Sequence, residues 1–311
     1  MRRAALAVAA LAAMTACTAR TETVAITQSA EVTPLRVLTE AVAAPPAAAL
    51  QLPRGGRSIF PRFTVVAHYG TAGTGALGVL GEGTPEQAGP RLLKAAAPFA
   101  AASGRPVLPA MELISSIAQR AAGPDGLYST YIPDADVARY LAEARKVKAL
   151  LILDLQPGRA DFLDQAKHFE KFLAEPDVGL ALDPEWKLTG AQRPLGQIGA
   201  TDAASINRVS AWLAQLRQEH ALPEKLFMLH QFRSFQIPDR DEVVARPGLA
   251  TVLHADGFGT QKVKRQVYDV LAIRSGPLHN ALKLFLDEDT DMMTPAEAMA
   301  LRPRPELITY Q

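Results

Sequence analysis

The chain has a single cysteine, Cys17, among its 311 residues, and this scarcity removes several kinds of chemistry. With no cysteine after residue 17, the folded part forms no disulfide and offers no thiol nucleophile. The formal net charge of +1 lacks the basic excess of nucleic-acid-binding proteins, so we predict no nucleic-acid partner. The composition, 48% hydrophobic and 21% charged, suits one large domain or two modest ones.

No apolar run in the sequence is long enough to cross a bilayer. Arg2 and Arg3 precede the longest candidate, residues 4–14, which has the length of a signal-peptide core. The N-terminus therefore predicts export from the cytoplasm.

The export segment ends in Met14-Thr15-Ala16-Cys17, which resembles the lipobox of bacterial lipoproteins. The resemblance implies removal of residues 1–16, acylation of Cys17 and a lipid-anchored protein on the outer face of the cell membrane. Residues 17–57 are rich in Ala, Thr and Pro and predict a flexible tether, followed by a folded domain over residues 58–311. The alternative is a simple secretory signal cut after an Ala-x-Ala-like site.

Short apolar runs alternate with amphipathic helical patterns through the folded part, which is typical of a parallel sheet covered by helices. Eight such repeats over roughly 250 residues favour an α/β fold of the (β/α)8 TIM-barrel type. An open doubly wound α/β sheet is the alternative. The predicted strands are 62–69, 106–112, 149–156, 178–183, 225–231, 250–256, 280–287 and 306–310.

Polar and ionisable residues gather where these strands end. In a TIM barrel the carboxyl ends of the strands form the active site, and unpaired buried charge is costly elsewhere. The pattern therefore predicts a ligand-binding or catalytic site. Its candidate binding residues are His68, Tyr69, Glu112, Gln156, Trp186, His230, Gln231, His254, Asp256 and Asp287, with Glu82 contributed by the first loop.

The stretch Val178–Trp186 (VGLALDPEW) places two carboxylates, Asp183 and Glu185, beyond a run of small and aliphatic residues. If the strand continued through them, both would lie on one face, with Asp154 at the end of the preceding strand. This arrangement resembles the Asp-x-Glu of chitinase-like and muramidase-like barrel glycoside hydrolases. The resemblance implies catalysis by Glu185 as proton donor, with Asp183 and Asp154 as supporting acids, on a cell-envelope or environmental glycan.

Two other functions stay open at this point. One is a barrel without catalysis that binds a saccharide or an envelope component. The other is a metal-dependent hydrolase whose zinc ligands would come from His68, His230, His254 and Asp256.

Cofactor motifs are weak in this chain. The glycines of residues 73–78 fit G-x-G-x-x-G but do not open a helix, so they indicate a long first loop. The acidic run 287–291 lacks the glycine and the final glutamate of a calcium loop. We predict no cofactor and no bound metal.

Overall fold

The computed structural model describes residues 49–311. The predicted signal peptide, Cys17 and most of the predicted tether lie outside the described residues. Within the end of that tether, Leu52 is buried and the Arg57 guanidinium donates hydrogen bonds to the carbonyls of Ala221 and Leu222. The packed domain therefore begins before residue 58.

Eight parallel strands form a closed barrel, which confirms the predicted (β/α)8 fold. The ring closes because β1 (Thr64–Gly70) pairs with β2 (Val107–Ala118) on one side and with β9 (Leu307–Tyr310) on the other, so the alternative of an open sheet is wrong. A short strand, β3, runs antiparallel to the end of β2 outside the ring. The strands are β1 (Thr64–Gly70), β2 (Val107–Ala118), β3 (Ser129–Tyr131), β4 (Leu150–Leu155), β5 (Val178–Leu182), β6 (Lys225–Gln231), β7 (Leu249–Ala255), β8 (His279–Leu284) and β9 (Leu307–Tyr310).

Helices surround the barrel and begin at recognisable caps. Asp202 accepts a hydrogen bond from the Ser205 N–H at the start of α5, and Thr260 accepts one from the Val263 N–H at the start of α6. The helices are α1 (Pro85–Ser103), α2 (Asp134–Lys146), α3 (Phe162–His168), α4 (Glu170–Leu173), α5 (Ala203–Glu219), α6 (Gln261–Leu271) and α7 (Pro295–Met299). No helix of the described residues is both long and apolar enough to span a membrane.

Successive side chains along each strand point alternately into the barrel and out toward the helices, and this gives two apolar layers. Inward residues such as Ala67, Ile152 and Met228 pack together inside the barrel, where Phe60 and Phe63 join them. Outward residues pack against the helices in a second, larger cluster. This alternation also decides which polar residues near the strand ends reach the interior.

Strand β5 ends one residue earlier than predicted, and this changes the geometry of its two acids. The structure has β5 over Val178–Leu182, followed by a 3₁₀ turn over Pro184–Trp186. Proline excludes the helical region for the preceding Asp183 and fixes its own φ for the turn. Asp183 and Glu185 are therefore not alternate residues on one face of an extended strand.

Candidate active site

A cavity of about 600 Å³ opens at the carboxyl ends of the barrel strands. Its polar lining residues are Tyr69, Gln156, Glu185, Arg233, Asp256, Lys283, Glu288 and Gln311. Tyr69 and Lys283 lie on β1 and β8, Gln156 and Asp256 directly follow β4 and β7, and Glu185 lies in the turn after β5. A volume of this size is typical of a small-molecule site.

His230 forms the centre of a buried ion-pair network next to the cavity. Its Nδ1 lies 2.7 Å from Oδ2 of Asp256, and its Nε2 lies 2.8 Å from Oε1 of Glu112. Burial lowers the pKa of His230, but the hydrogen bonds and charges of the two carboxylates outweigh it and raise the pKa well above its ordinary value. The ring is therefore an imidazolium that donates through both nitrogens.

The neighbouring histidine has the opposite charge state. Nδ1 of His254 lies 3.2 Å from Nδ1 of His230. Burial, together with the positive charge of His230, places the pKa of His254 well below its ordinary value. His254 is therefore neutral and serves as a second acceptor for the His230 Nδ1–H.

Lys283 is the buried cation of the cavity wall, which the exposed Arg233 also lines. Its Nζ lies 3.4 Å from the carboxyl oxygens of Asp256 and 3.6 Å from the centre of the Tyr69 ring. Burial lowers the pKa of Lys283, but Asp256 and the other surrounding acids raise it above its ordinary value. Burial raises the pKa of Asp256, but Lys283 and His230 outweigh it and hold that pKa well below the usual range.

Three further acids near the cavity have raised pKa values. Burial and the charge of Asp256 raise the pKa of Glu185 to about 7, although Lys283 and His230 oppose the shift. Burial also raises the pKa of Asp154 to about 6. Burial and the charge of Glu185 raise that of Asp183 well above its ordinary value. At neutral pH this part of the site holds protons that its acids can exchange.

Tyr69 fixes the position of Asp154. The phenol hydroxyl donates a 2.9 Å hydrogen bond to Oδ2 of Asp154. Burial and the surrounding acids raise the pKa of Tyr69 well above its ordinary value, so it remains a donor.

Among the described residues, Oδ1 of Asp154, Oδ1 of Asp256 and Nε2 of His254 are buried polar atoms without a hydrogen-bond partner.

Glu112, His230 and His254 could hold a metal ion by distance alone, because their potential ligand atoms lie within 4.8 Å of one another. The donor set suits a proton better. A cation bound there would have to displace the proton that His230 shares with two carboxylates, and it would lie close to the Lys283–Asp256 pair.

The structure brings ten of the sequence-predicted residues together at this end of the barrel. Five of them line the cavity and five are buried around it. The cavity-lining residues are Tyr69, Gln156, Glu185, Trp186 and Asp256, and the buried ones are Glu112, Asp154, Asp183, His230 and His254.

Four predicted binding residues lie elsewhere. His68 is on the outward face of β1, edge-on to Tyr310, and burial lowers its pKa to about 4. Gln231 is also outward, and its amide donates to the carbonyls of Arg233 and Ser234. Adjacent residues of a strand point to opposite faces, so His68 and Gln231 point outward while their neighbours Tyr69 and His230 point inward. The other two, Glu82 and Asp287, are exposed and line a small neighbouring pocket that shares Glu288 and Gln311 with the cavity.

Sequence reasoning missed Lys283 because the predicted strand 280–287 placed its end at Asp287, whereas β8 ends at Leu284. The signal was present: a lysine within an apolar run is rare in a buried strand unless it is paired. Thr309 of β9 was also missed, and its hydroxyl donates a 3.2 Å hydrogen bond to Oε2 of Glu112.

Comparison with known proteins gives a similarity of structure only. No family model matches the chain, and no curated protein matches it. The crystal structure of Burkholderia cenocepacia dihydropteroate synthase complexed with 7,8-dihydropteroate is similar with a TM-score of 0.38 and 12% identity, over 85% of this chain and 90% of that one. At this identity and TM-score the similarity says nothing about the activity of this chain.

The predicted resemblance to glycoside hydrolases is corrected by these findings. No family model and no curated protein supports a glycosidase or a lipoprotein family. The physical reason lies in β5, where Pro184 ends the strand before the two acids, so the Asp-x-Glu strand end on which the resemblance depended is not formed.

Proposed function

We propose that this protein is an enzyme that transfers protons on a small organic molecule bound in the barrel cavity, with Glu185 as the group that takes and returns the proton. The observation that carries the proposal is the position of Glu185 in the cavity wall with a pKa raised to about 7 by burial and by Asp256. A carboxyl group with this pKa is both a usable base and a usable acid at neutral pH.

Lys283 supplies the positive charge that would stabilise the intermediate of such a proton transfer. Its ammonium faces the same cavity and is held by Asp256 and by the Tyr69 ring. A fixed cation in a partly desolvated site stabilises negative charge that develops on a substrate oxygen. Glu185 and Lys283 together suit the removal of a proton from carbon next to a carbonyl or carboxylate group.

The reaction class is that of an isomerase or a lyase. The Glu185 carboxylate takes the proton, the electron pair of the C–H bond forms a carbon–carbon double bond, and the π pair of the carbonyl group moves to its oxygen to give an enolate beside Lys283. The Glu185 carboxylic acid then returns the proton to a neighbouring carbon, or a leaving group departs from that carbon. Asp183 and Asp154 act on Glu185 through their charges and protons.

The test is proton exchange with solvent. Purified protein is incubated in D₂O with a panel of small ketones, aldehydes and 2-substituted carboxylic acids, and deuterium incorporation is followed by mass spectrometry. We expect at least one compound to exchange, and Glu185→Gln to slow that exchange by about 10²–10⁴-fold.

Glu219→Gln, which changes an exposed acid on α5, is the matched control and should exchange at the parent rate. Exchange that persists at the parent rate in Glu185→Gln would refute the role of Glu185. Reduction by borohydride that adds a bound carbonyl compound to Lys283 would instead indicate a Schiff-base enzyme.

A further inference from the structure

The mouth of the cavity is apolar although its inner wall is polar. Ile198, Phe258 and Val263 line the opening, and all three are exposed to solvent. Phe258 has 63% of its surface exposed, an unusual state for a phenylalanine in a soluble domain. Exposed apolar side chains that border a cavity are typical of a surface that contacts a ligand.

Two side pockets extend this opening in both directions. One, of about 320 Å³, shares Glu185, Trp186 and Ile198 with the central cavity and reaches Leu195. The other, of about 330 Å³, shares Phe232, Arg233, Val263 and Val267 with the cavity and reaches Val270. The three adjoining spaces form one trough, which we call the apolar trough after its exposed apolar residues Leu195, Ile198, Phe258, Val263 and Val270; polar residues such as Arg233 and Gln197 also line it, and Glu185 lies near its middle.

The two ends of the trough are the most exposed part of it. Leu195 has 68% and Val270 has 67% of its surface in solvent. Leu195 also has a φ of +64°, in the left-handed region that a leucine rarely adopts.

The central phenylalanine of the trough is held in place by a buried ion pair. Oδ1 of Asp289 accepts a hydrogen bond from the N–H of Gly259, next to Phe258, and Nζ of Lys264 lies 2.9 Å from Oδ2 of the same aspartate. Nζ of Lys264 also donates to the carbonyl of Gly257. The loop that presents Phe258 is therefore preorganised with its aromatic ring in solvent.

We propose that the apolar trough binds the hydrocarbon chain of an elongated amphipathic substrate, whose polar carbonyl or carboxylate end reaches Glu185 and Lys283. This inference rests on the proposed function, because it names the class of substrate for the same site. The continuity of the side pockets with the cavity, and the polar groups within the cavity, favour a chain attached to a polar head over a wholly apolar ligand.

The test uses straight-chain carboxylic acids from hexanoic to dodecanoic acid as probes, below their micelle concentrations, with Kd measured by calorimetry. Each added methylene should tighten binding by about fourfold until the trough is filled. Leu195→Ser and Val270→Ser, at the two ends of the trough, should each weaken dodecanoic acid binding by about threefold to tenfold while leaving hexanoic acid binding unchanged. Leu93→Ser changes an exposed leucine on α1 away from the trough and is the matched control.

Equal Kd values for all chain lengths would overturn the trough as a chain-binding site. Sedimentation of the protein with phosphatidylcholine vesicles, without competition by dodecanoic acid, would also overturn it and would make the same residues a membrane-contacting surface. Neither result affects the proton-exchange assay with short compounds. Conversely, chain-length dependence without any exchange would leave the trough standing and remove the proposed reaction.

Discussion

Nδ1 of His230 lies 2.7 Å from Oδ2 of Asp256, and this contact joins the buried network to the wall of the cavity. Through its other nitrogen, His230 holds Glu112 as well, so one imidazolium compensates two buried carboxylates. Removing a partner from a buried ion pair leaves an uncompensated charge and is strongly destabilising.

His230→Gln should therefore lower the free energy of unfolding by about 3–5 kcal/mol at pH 7, measured by urea denaturation. Adding Glu112→Gln to that variant should restore part of the loss, because Glu112 is the carboxylate left without a cation, whereas Asp256 keeps Lys283. His220→Gln, at an exposed position, is the control and should leave stability unchanged. A loss below about 1 kcal/mol in His230→Gln would show that the two carboxylates do not depend on the imidazolium.

The pH dependence of the His230 contribution follows from the raised pKa of the folded state. The stability that its protonation supplies is fully present below about pH 6.5, the ordinary value for histidine. It declines as the pH rises through the folded-state pKa. The stability difference between the parent and His230→Gln should therefore be largest in neutral and mildly acidic solution and shrink in alkaline solution.

Unlike the protonated His230, which stabilises the folded state, the ionised Glu185 should destabilise it. Its pKa is about 7 in the folded state against 4.5 as the ordinary value, so the folded state binds more protons between these pH values and the parent loses stability as the pH rises. Glu185→Gln should therefore be more stable than the parent by about 1–3 kcal/mol above pH 7 and equal to it below pH 4.5.

Melting temperatures of the parent and Glu185→Gln across pH 4–8 measure this difference, with Glu219→Gln as the exposed control. Equal melting temperatures at pH 8 would contradict the burial of an ionised Glu185. The combination of higher stability with slower proton exchange would identify Glu185 as a residue kept for function at a cost in stability.

The sequence predicted much of the barrel but only part of the site. Strand β6 has the bounds predicted for residues 225–231, because its apolar run carries its own local signal. The short strand β3 was not among the predicted strands. Short elements of this kind depend on tertiary contacts that no local pattern contains.

A polar residue reaches the cavity only if its side chain points to the inward face of its strand. Adjacent residues point to opposite faces, so the exact position of a residue along the strand decides this. His68 and Tyr69 are adjacent in β1, yet only Tyr69 reaches the cavity. An apolar strand covered on both sides does not show its inward face in sequence, because both faces are hydrophobic. His230 pairs with Asp256, which follows the neighbouring strand β7, and across the barrel with Glu112 on β2, which comes close only when the barrel closes.

Lys283 should control the proton affinity of the acids around it. Its positive charge lowers the pKa values of Glu185 and Asp154, so Lys283→Met should raise both. Carbon-13 NMR titration of the labelled carboxyl groups measures the change in these pKa values. Because Glu185 must be ionised to take a proton, the rise of the proton-exchange rate with pH should also move to higher pH. Lys283→Arg keeps the charge and should leave both titrations near those of the parent. Unchanged pKa values in Lys283→Met would show that the charge of Lys283 does not control the protonation of Glu185 and Asp154.

The last prediction concerns Asp289, which ties two loops at the cavity mouth. Its Oδ2 accepts a hydrogen bond from the Phe285 N–H and pairs with Lys264, while its Oδ1 holds the Gly259 N–H. Asp289→Ala would leave a buried ammonium and two backbone donors without this acceptor, so we expect a loss of about 3–5 kcal/mol in unfolding free energy.

Asp289→Asn keeps a carbonyl acceptor but loses the charge, and it should cost less than Asp289→Ala. The double variant Lys264→Met with Asp289→Asn should lose less than the sum of the two single losses, because the two side chains form one interaction. Asp287→Ala, two residues earlier and exposed, should leave stability unchanged. Additive losses in the double variant, measured by urea denaturation, would show that the ion pair does not couple these loops. If it does couple them, Asp289→Asn should also weaken dodecanoic acid binding more than hexanoic acid binding, since the loop that presents Phe258 would no longer be fixed.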